Sequence, residues 1–196
     1  QNLEDDVALL SFNKNFDLII SKDIFIEDVH FLKSDGAKKI ASKLTKSKQV
    51  LYIGRSISHV TALESALKFR ELTYINAQGI SAGELKHGTI AVIDKTMPVI
   101  VIGARNKENE LFEKTLSNAQ EVNARGGKIF FVSDKKGLNL FGKMAKYRLE
   151  IPEISNSIQE AILPVISMQL LAYYVALFKG HDVDQPRNLA KSVTVE

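Results

Sequence analysis

Cysteine is missing from all 196 residues. Its absence removes a disulfide framework, a thiolate zinc site and a cysteine nucleophile together. Excess charge is also scarce: 26 Lys plus Arg against 23 Asp plus Glu leave a net of +3. No block of Lys and Arg interleaved with aromatics occurs, so nucleic acid is not an expected partner. The common phosphate-binding fingerprints are lacking as well. No G-x-G-x-x-G follows the first apolar run, and there is no G-x-x-x-x-G-K-[ST]. There is no H-E-x-x-H, and His30, His59, His87 and His181 are scattered without ligand spacing. Neither a metal nor another cofactor is therefore expected. The chain opens on Gln1-Asn2-Leu3-Glu4-Asp5-Asp6, without a basic stretch leading into an apolar one. That start predicts no signal peptide, and so a cytoplasmic chain or a piece of a longer one.

What is present is an ordinary globular mixture, 45% hydrophobic and 25% charged, enough to bury a sizeable core in one domain with an appendage. The stretch Ala161 to Phe178 carries no charge and approaches membrane-spanning length. It also contains Pro164, Ser167, Gln169, Tyr173 and Tyr174, so it reads as the buried helix of an α/β domain, with no membrane partner.

Residues 1–34 read as short strands around Val7–Phe12, Phe16–Ser21 and Ile24–Phe31, with Asn13-Lys14-Asn15 as the first turn. A basic helix, Ala37–Lys46, follows the punctuation Ser34-Asp35-Gly36. Beyond it, apolar runs alternate with helical stretches. Strands are expected at Val50–Ile53, Pro98–Gly103, Lys128–Asp134 and Tyr147–Ile151. Helices are expected at Val60–Asn76, Glu108–Ala124 and Ser157–Lys179. This alternation predicts βαβ units in a doubly wound, mostly parallel, Rossmann-like α/β sheet with a short N-terminal β appendage. Ligands in such sheets bind at the carboxyl ends of the strands, which directs attention to Gly54-Arg55-Ser56, Gly103-Ala104-Arg105 and Ser133-Asp134.

Three further groups could carry chemistry. Lys68 and Glu71 lie three apart on one helix face, with Glu64 four residues before Lys68. They form either a solvated ion-pair ladder or a carboxylate base held beside an ammonium in a cleft. Gly83-Glu84-Leu85-Lys86-His87-Gly88 sets a carboxylate, an ammonium and an imidazole between glycines, either a plain loop or a ligand-facing turn. The tail Asp182–Glu196, with Lys191, mixes Pro, Arg and Asn with apolar residues and reads as a strap packed on the surface.

Gly83–Gly88, Asn123-Ala124-Arg125-Gly126-Gly127 and Asp182–Glu196 together closely resemble the glucosamine-6-phosphate synthases, the isomerising glutamine–fructose-6-phosphate aminotransferases. The resemblance covers the second sugar-isomerase (SIS) domain and tail of that family, placing its boundary at residues 35–196. It implies a chain that helps make glucosamine 6-phosphate from fructose 6-phosphate and glutamine, on the route to UDP-N-acetylglucosamine. By position, Glu71 matches the family's base for proton transfer between C1 and C2, with Lys68 beside it. His87 matches the histidine that opens the sugar ring from a neighbouring subunit. Lys191 matches the lysine that forms a Schiff base with the open ketose. The implied ligands are sugar phosphates. The implied partner is a second copy, or a chain supplying the first SIS domain, because neither that domain nor the cysteine-bearing glutaminase half has a counterpart here. A catalytically inactive sugar-phosphate-binding or assembly module is the alternative. The chain departs from the family's usual pattern in four places. Gly54-Arg55-Ser56 replaces Gly-Arg-Gly, and Thr89 follows His87-Gly88 where Pro is usual. Asn76 and Gln78 stand where His and Glu are usual. Residues 1–34 resemble instead, faintly, the N-terminus of thiamine-monophosphate kinase, through Asp5–Leu10, Ser21-Lys22-Asp23 and Val29-His30-Phe31.

Overall fold

The computed structural model describes residues 10–12, 18–20, 35–105 and 110–187. The chain divides into two compact units, Gln1–Ser34 and Asp35–Glu196. In the first, β1 (Leu10–Phe12) pairs antiparallel with β2 (Leu18–Ile20), Leu10 opposite Ile20. The expected third strand at Ile24–Phe31 and the turn Asn13–Asn15 lie outside the described residues.

In the second unit, α1 (Asp35–Leu44) leads into β3 (Gln49–Gly54), α2 (Ile57–Thr73) and β4 (Asn76–Ser81). Two 3-10 turns, Ala82–Lys86 and Thr89–Val92, precede β5 (Pro98–Ile102). Then come α3 (Glu110–Ala124), β6 (Lys128–Ser133), α4 (Lys135–Phe141), β7 (Tyr147–Glu150) and α5 (Ser157–Phe178). The five strands run in the order β4-β3-β5-β6-β7, each neighbouring pair parallel. The chain reverses direction across the sheet between β3 and β5, and an open α/β sheet has its ligand crevice at such a reversal.

Alternation along β3 shows why the sheet is covered on both faces. Val50 and Tyr52 join a core with Phe69, Ile100, Phe130 and Leu171, beneath α1, α2 and α5. Leu51 and Ile53 join Val101, Phe112, Phe131 and Phe141, beneath α3 and α4. Successive side chains on a strand point to opposite faces, so a strand covered on both sides reads as a continuous apolar run. Each fully buried Leu, Ile or Phe contributes roughly 1.5–3 kcal/mol. The Tyr52 hydroxyl is the exception in this core, since it has no hydrogen-bond partner among the described residues.

The apolar stretch at Ala161–Phe178 belongs to α5, a helix long and apolar enough to cross a membrane by length and composition. Half of its most apolar stretch is buried, and Leu163, Leu171, Ala172 and Val175 pack into the core beneath α1 and α2.

Two elements were not expected. β4, Asn-Ala-Gln-Gly-Ile-Ser, occupies the sheet edge, where one neighbour suffices and polar residues are tolerated. α4 is started by the Asp134 carboxylate, which accepts from the Gly137 N–H at 2.6 Å. α2 also begins three residues earlier and ends three residues earlier than the pattern indicated. Its start lacks a side-chain cap, and its end is a left-handed Tyr74 at φ 55, ψ 22. The start carries a serine that does not cap, and the end lacks the glycine or asparagine usual at a left-handed terminus.

Candidate active site

β3 delivers Gly54, Arg55 and Ser56 to the reversal point. A Cβ on Gly54 would lie 2.3 Å from the Ser58 carbonyl oxygen, so no side chain fits there. Ser56, at the N-cap of α2, has φ 51 and ψ −126. That region belongs to glycine, and a residue with a Cβ held there carries strain of about 1–3 kcal/mol. The Gly-Arg-Gly pattern is thus explained by geometry that this chain keeps while placing a serine in it. The Arg55 guanidinium is held from α3: Nε and Nη2 donate to Asn118 Oδ1 at 3.1 and 2.9 Å. It lies beside Gly83, where a Cβ would come 3.4 Å from its Nη1. Arg55 therefore joins the end of β3 to the Gly83–Gly88 turn.

The loops after β5 and β6 hold one another. Ser133 Oγ donates to the Gly103 carbonyl at 2.6 Å, and Arg105 Nη1 sits 3.5 Å from Asp134 Oδ2. The Arg105 guanidinium also lies 5.7 Å from the Phe112 ring centroid. Ser133 and Asp134, expected as ligand-facing, are buried and serve the scaffold.

At the carboxyl end of α2 the structure brings Lys68 and Glu71 together, Nζ to Oε2 at 2.8 Å, with side chains 38% and 24% exposed. The hydrogen bond it donates to Glu71 raises the Lys68 pKa above the ordinary lysine value. Lys68 is therefore an ammonium through the neutral range and cannot be the proton acceptor of the pair. Stability that it lends fades only as pH rises through its folded value.

Directly beyond the pair, the chain's return is clamped onto α2. The His181 ring lies 4.6 Å from the Tyr74 ring, and its Nδ1 is 3.1 Å from the Leu72 carbonyl. A carbonyl only accepts, so Nδ1 carries the proton there. The Arg187 guanidinium sits 4.2 Å over the Tyr74 ring, and its backbone N–H donates to the Tyr74 hydroxyl at 2.8 Å. Lys191, four residues further on, lies outside the described residues.

His87 follows the first 3-10 turn. Buried Leu85 anchors that turn from below, and Lys86 pairs with Glu121 of α3 at 2.8 Å. His87 itself is exposed, and among the described residues no hydrogen bond or ion pair joins it to Lys68 or Glu71. Within one chain the structure thus unites Lys68 with Glu71 and leaves His87 facing outward. Among the described residues no three His, Asp or Glu side chains cluster as metal ligands would. Sequence reasoning missed Asn118, Tyr74, His181 and Arg187 as supports of this region. Asn118, a polar residue at a buried helix position, is the one that left a signal.

Comparison with known proteins agrees with this architecture. The SIS domain family model matches residues 43–179. A glutamine–fructose-6-phosphate aminotransferase [isomerizing] of Mesorhizobium japonicum is 50% identical over 159 residues, 81% of this chain and 26% of its own length. The enzyme of the same name from Zymomonas mobilis is 48% identical over 163 residues. The chain spans about a quarter of the length of these curated relatives. Among solved structures, the C-terminal domain of glucosamine-fructose-6-phosphate aminotransferase from Francisella tularensis superposes with a TM-score of 0.71 at 34% identity. That alignment covers 82% of this chain and 46% of the other. With a five-stranded parallel sheet in this order and a family match running from α1 to the end of α5, the chain belongs to the SIS domain family.

Proposed function

We propose that this SIS lobe works as the isomerase half of a glutamine–fructose-6-phosphate aminotransferase, in the cytoplasm, on the amino-sugar route. The observation that carries the reading is the Lys68–Glu71 pair at the end of α2, with the chain leading to Lys191 clamped directly beyond it. Glu71 takes the proton from C1 of the open sugar and returns it at C2, and a positioned carboxylate of this kind contributes roughly 100- to 10,000-fold. The Lys68 ammonium, adjacent to that carboxylate, offers positive charge to the C1 oxygen as the enolamine hydroxyl gives up its proton to become the aldehyde. Lys191 condenses with the ketose carbonyl, releasing water, and the resulting imine draws electrons from the carbon that loses the proton. His87, exposed on its turn, opens the ring of a sugar held by a neighbouring lobe. In this scheme the phosphate is held by the first SIS lobe, because the Gly54–Ser56 corner lies fifteen residues of α2 from Glu71, roughly 22 Å at helical rise.

The partner that this scheme needs is a second lobe of the same fold. Val60, Leu63 and Leu67 form an i, i+3, i+7 stripe on the outer face of α2 and are 63%, 47% and 40% exposed. An apolar stripe at helical spacing left uncovered marks an interaction face. Less than half of the Francisella C-terminal domain is taken up by the match to this chain, which leaves room there for another lobe.

Amide NMR during titration with glucosamine 6-phosphate, with size measured in parallel, tests the reading. Saturable shifts along Lys68–Tyr74 support it, as does a borohydride-trapped fructose 6-phosphate adduct that Lys191→Ala abolishes. Saturable binding at those amides with no adduct, when a first SIS lobe is supplied, would mark the chain as a sugar-phosphate-binding module instead.

A further inference from the structure

The amino end of the sheet holds a second polar concavity, whose lining includes neither Lys68 nor Glu71. It encloses about 620 Å³ and gathers Lys43, Lys46, Lys48 and Lys128. Topology makes it. The last turn of α1 and the loop after it bring the first three lysines to the starts of β3 and β4, and Lys128 begins β6. Six residues of β3 separate this end from Gly54, roughly 20 Å at strand rise. Asn76 in its lining follows Glu71 by five residues, so the concavity lies at the same end of the sheet as the Lys68–Glu71 pair, but neither residue of that pair lines it.

The charge of this concavity is unusual for the molecule. Four ammonium groups line it and no carboxylate does, whereas the whole chain has an excess of only +3. Four lysines elsewhere are matched, Lys68 with Glu71, Lys86 with Glu121, Lys114 with Glu110 and Lys136 with Glu153, while others such as Lys95 and Lys179 have no ion pair among the described residues either. Among the described residues none of the four in the concavity has such a partner. Like charges gathered without counter-ions repel, and a bound anion relieves that repulsion. The carboxamides of Gln49 and Asn76 add neutral donors at the same place. A single phosphate, with at most two negative charges, leaves half of this charge unmatched.

We propose that this concavity is a second anion site, taking a small molecule that carries two or more linked phosphate groups. Helix electrostatics supply a rival explanation. Lysines near the end of α1 complement its carbonyl dipole, and Lys43 lies in that last turn. Lys128 does not, because it begins a strand. The proposal does not depend on the sugar-phosphate reading.

Isothermal titration of the full chain with inorganic tripolyphosphate, and with orthophosphate at matched ionic strength, tests it. The expected result is saturable one-to-one binding of tripolyphosphate, orthophosphate weaker by at least about tenfold, and Lys128→Gln weakening tripolyphosphate by about tenfold, or 1.4 kcal/mol. Saturating glucosamine 6-phosphate should leave that affinity unchanged. Unsaturable binding, or parent affinity retained in both Lys128→Gln and the Lys43→Gln/Lys46→Gln pair, would overturn the proposal. Competition by glucosamine 6-phosphate would overturn it as well, by placing the anion in the sugar site. So would tight, lysine-dependent binding of a DNA duplex or of phosphatidylserine vesicles in the absence of tripolyphosphate binding. That result would make the lysines a macromolecular surface.

Discussion

Around the carboxyl end of the parallel sheet the polar side chains hold one another, while at the amino end four lysines stand open near the paired Lys68 and Glu71. Arg55 is held by Asn118, Arg105 by Asp134, and Ser133 closes on the Gly103 carbonyl. At the opposite end Lys43, Lys46, Lys48 and Lys128 are exposed around a concavity without a carboxylate in its lining. The difference shows how one sheet can carry two kinds of polar site. Where the backbone is held fixed, side chains are consumed in bracing the turns. Where only charge is presented, long side chains remain free and cost the fold little. The strained Ser56 belongs to the first kind, because its conformation persists only in a corner that its neighbours determine.

If that contrast is right, substitutions at the two ends should differ in consequence. The largest effect on stability is expected at Gly54, where a Cβ would meet the Ser58 backbone at 2.3 Å. Gly54→Ala should lower unfolding free energy by about 2 kcal/mol or more, read from the urea midpoint. A shift of under about 0.5 kcal/mol would show that the corner yields.

Asn118→Ala should cost roughly 1–2 kcal/mol, because it strands the partly buried guanidinium of Arg55. The same variant should broaden the amide signals of the Gly83–Gly88 turn, which Arg55 joins to α3. Unchanged signals would mean that the arginine does not brace the turn.

Ser56→Gly should act in the opposite direction. Relief of the positive-φ strain outweighs the extra chain entropy of glycine, so stability should rise by about 1 kcal/mol. Calorimetry giving a lower melting temperature would contradict the strain.

The smallest effect belongs to the other end of the sheet. Lys128→Gln should leave unfolding free energy within about 0.5 kcal/mol of the parent, as for an exposed side chain without a partner. A cost near that of Asn118→Ala would erase the contrast between the two ends.

The same contrast shows what the sequence made legible. β3, β5 and β6 announced themselves because strands buried on both faces must be apolar throughout, as Val50–Ile53 and Pro98–Ile102 are. α5 stood out for the same reason, since it is covered by α1 and α2. β4 did not, because an edge strand made of Asn76, Ala77, Gln78 and Gly79 has no period to read. α4 was hidden by its shortness, and Asp134 read as the end of a strand rather than the cap that starts a helix. The spacing of Lys68 and Glu71 was enough to foresee their meeting, since three residues on a helix place two side chains side by side. The support around them was not visible. Tyr74 takes a left-handed conformation that tyrosine does not advertise, and its partners His181 and Arg187 are more than a hundred residues away. The lysine concavity joins four segments distant in the chain and close only in the folded sheet.

The central claim is that Glu71 moves the proton between C1 and C2. The most direct measurement is deuterium uptake from heavy water into C1 of fructose 6-phosphate, with the first SIS lobe supplied to this chain. The account predicts uptake by the parent assembly and a loss of at least about 100-fold in Glu71→Gln, with glucosamine 6-phosphate affinity retained. Uptake by Glu71→Gln at a near-parent rate would contradict it, and would leave Lys68 and Glu71 as an ion pair on the surface of a helix.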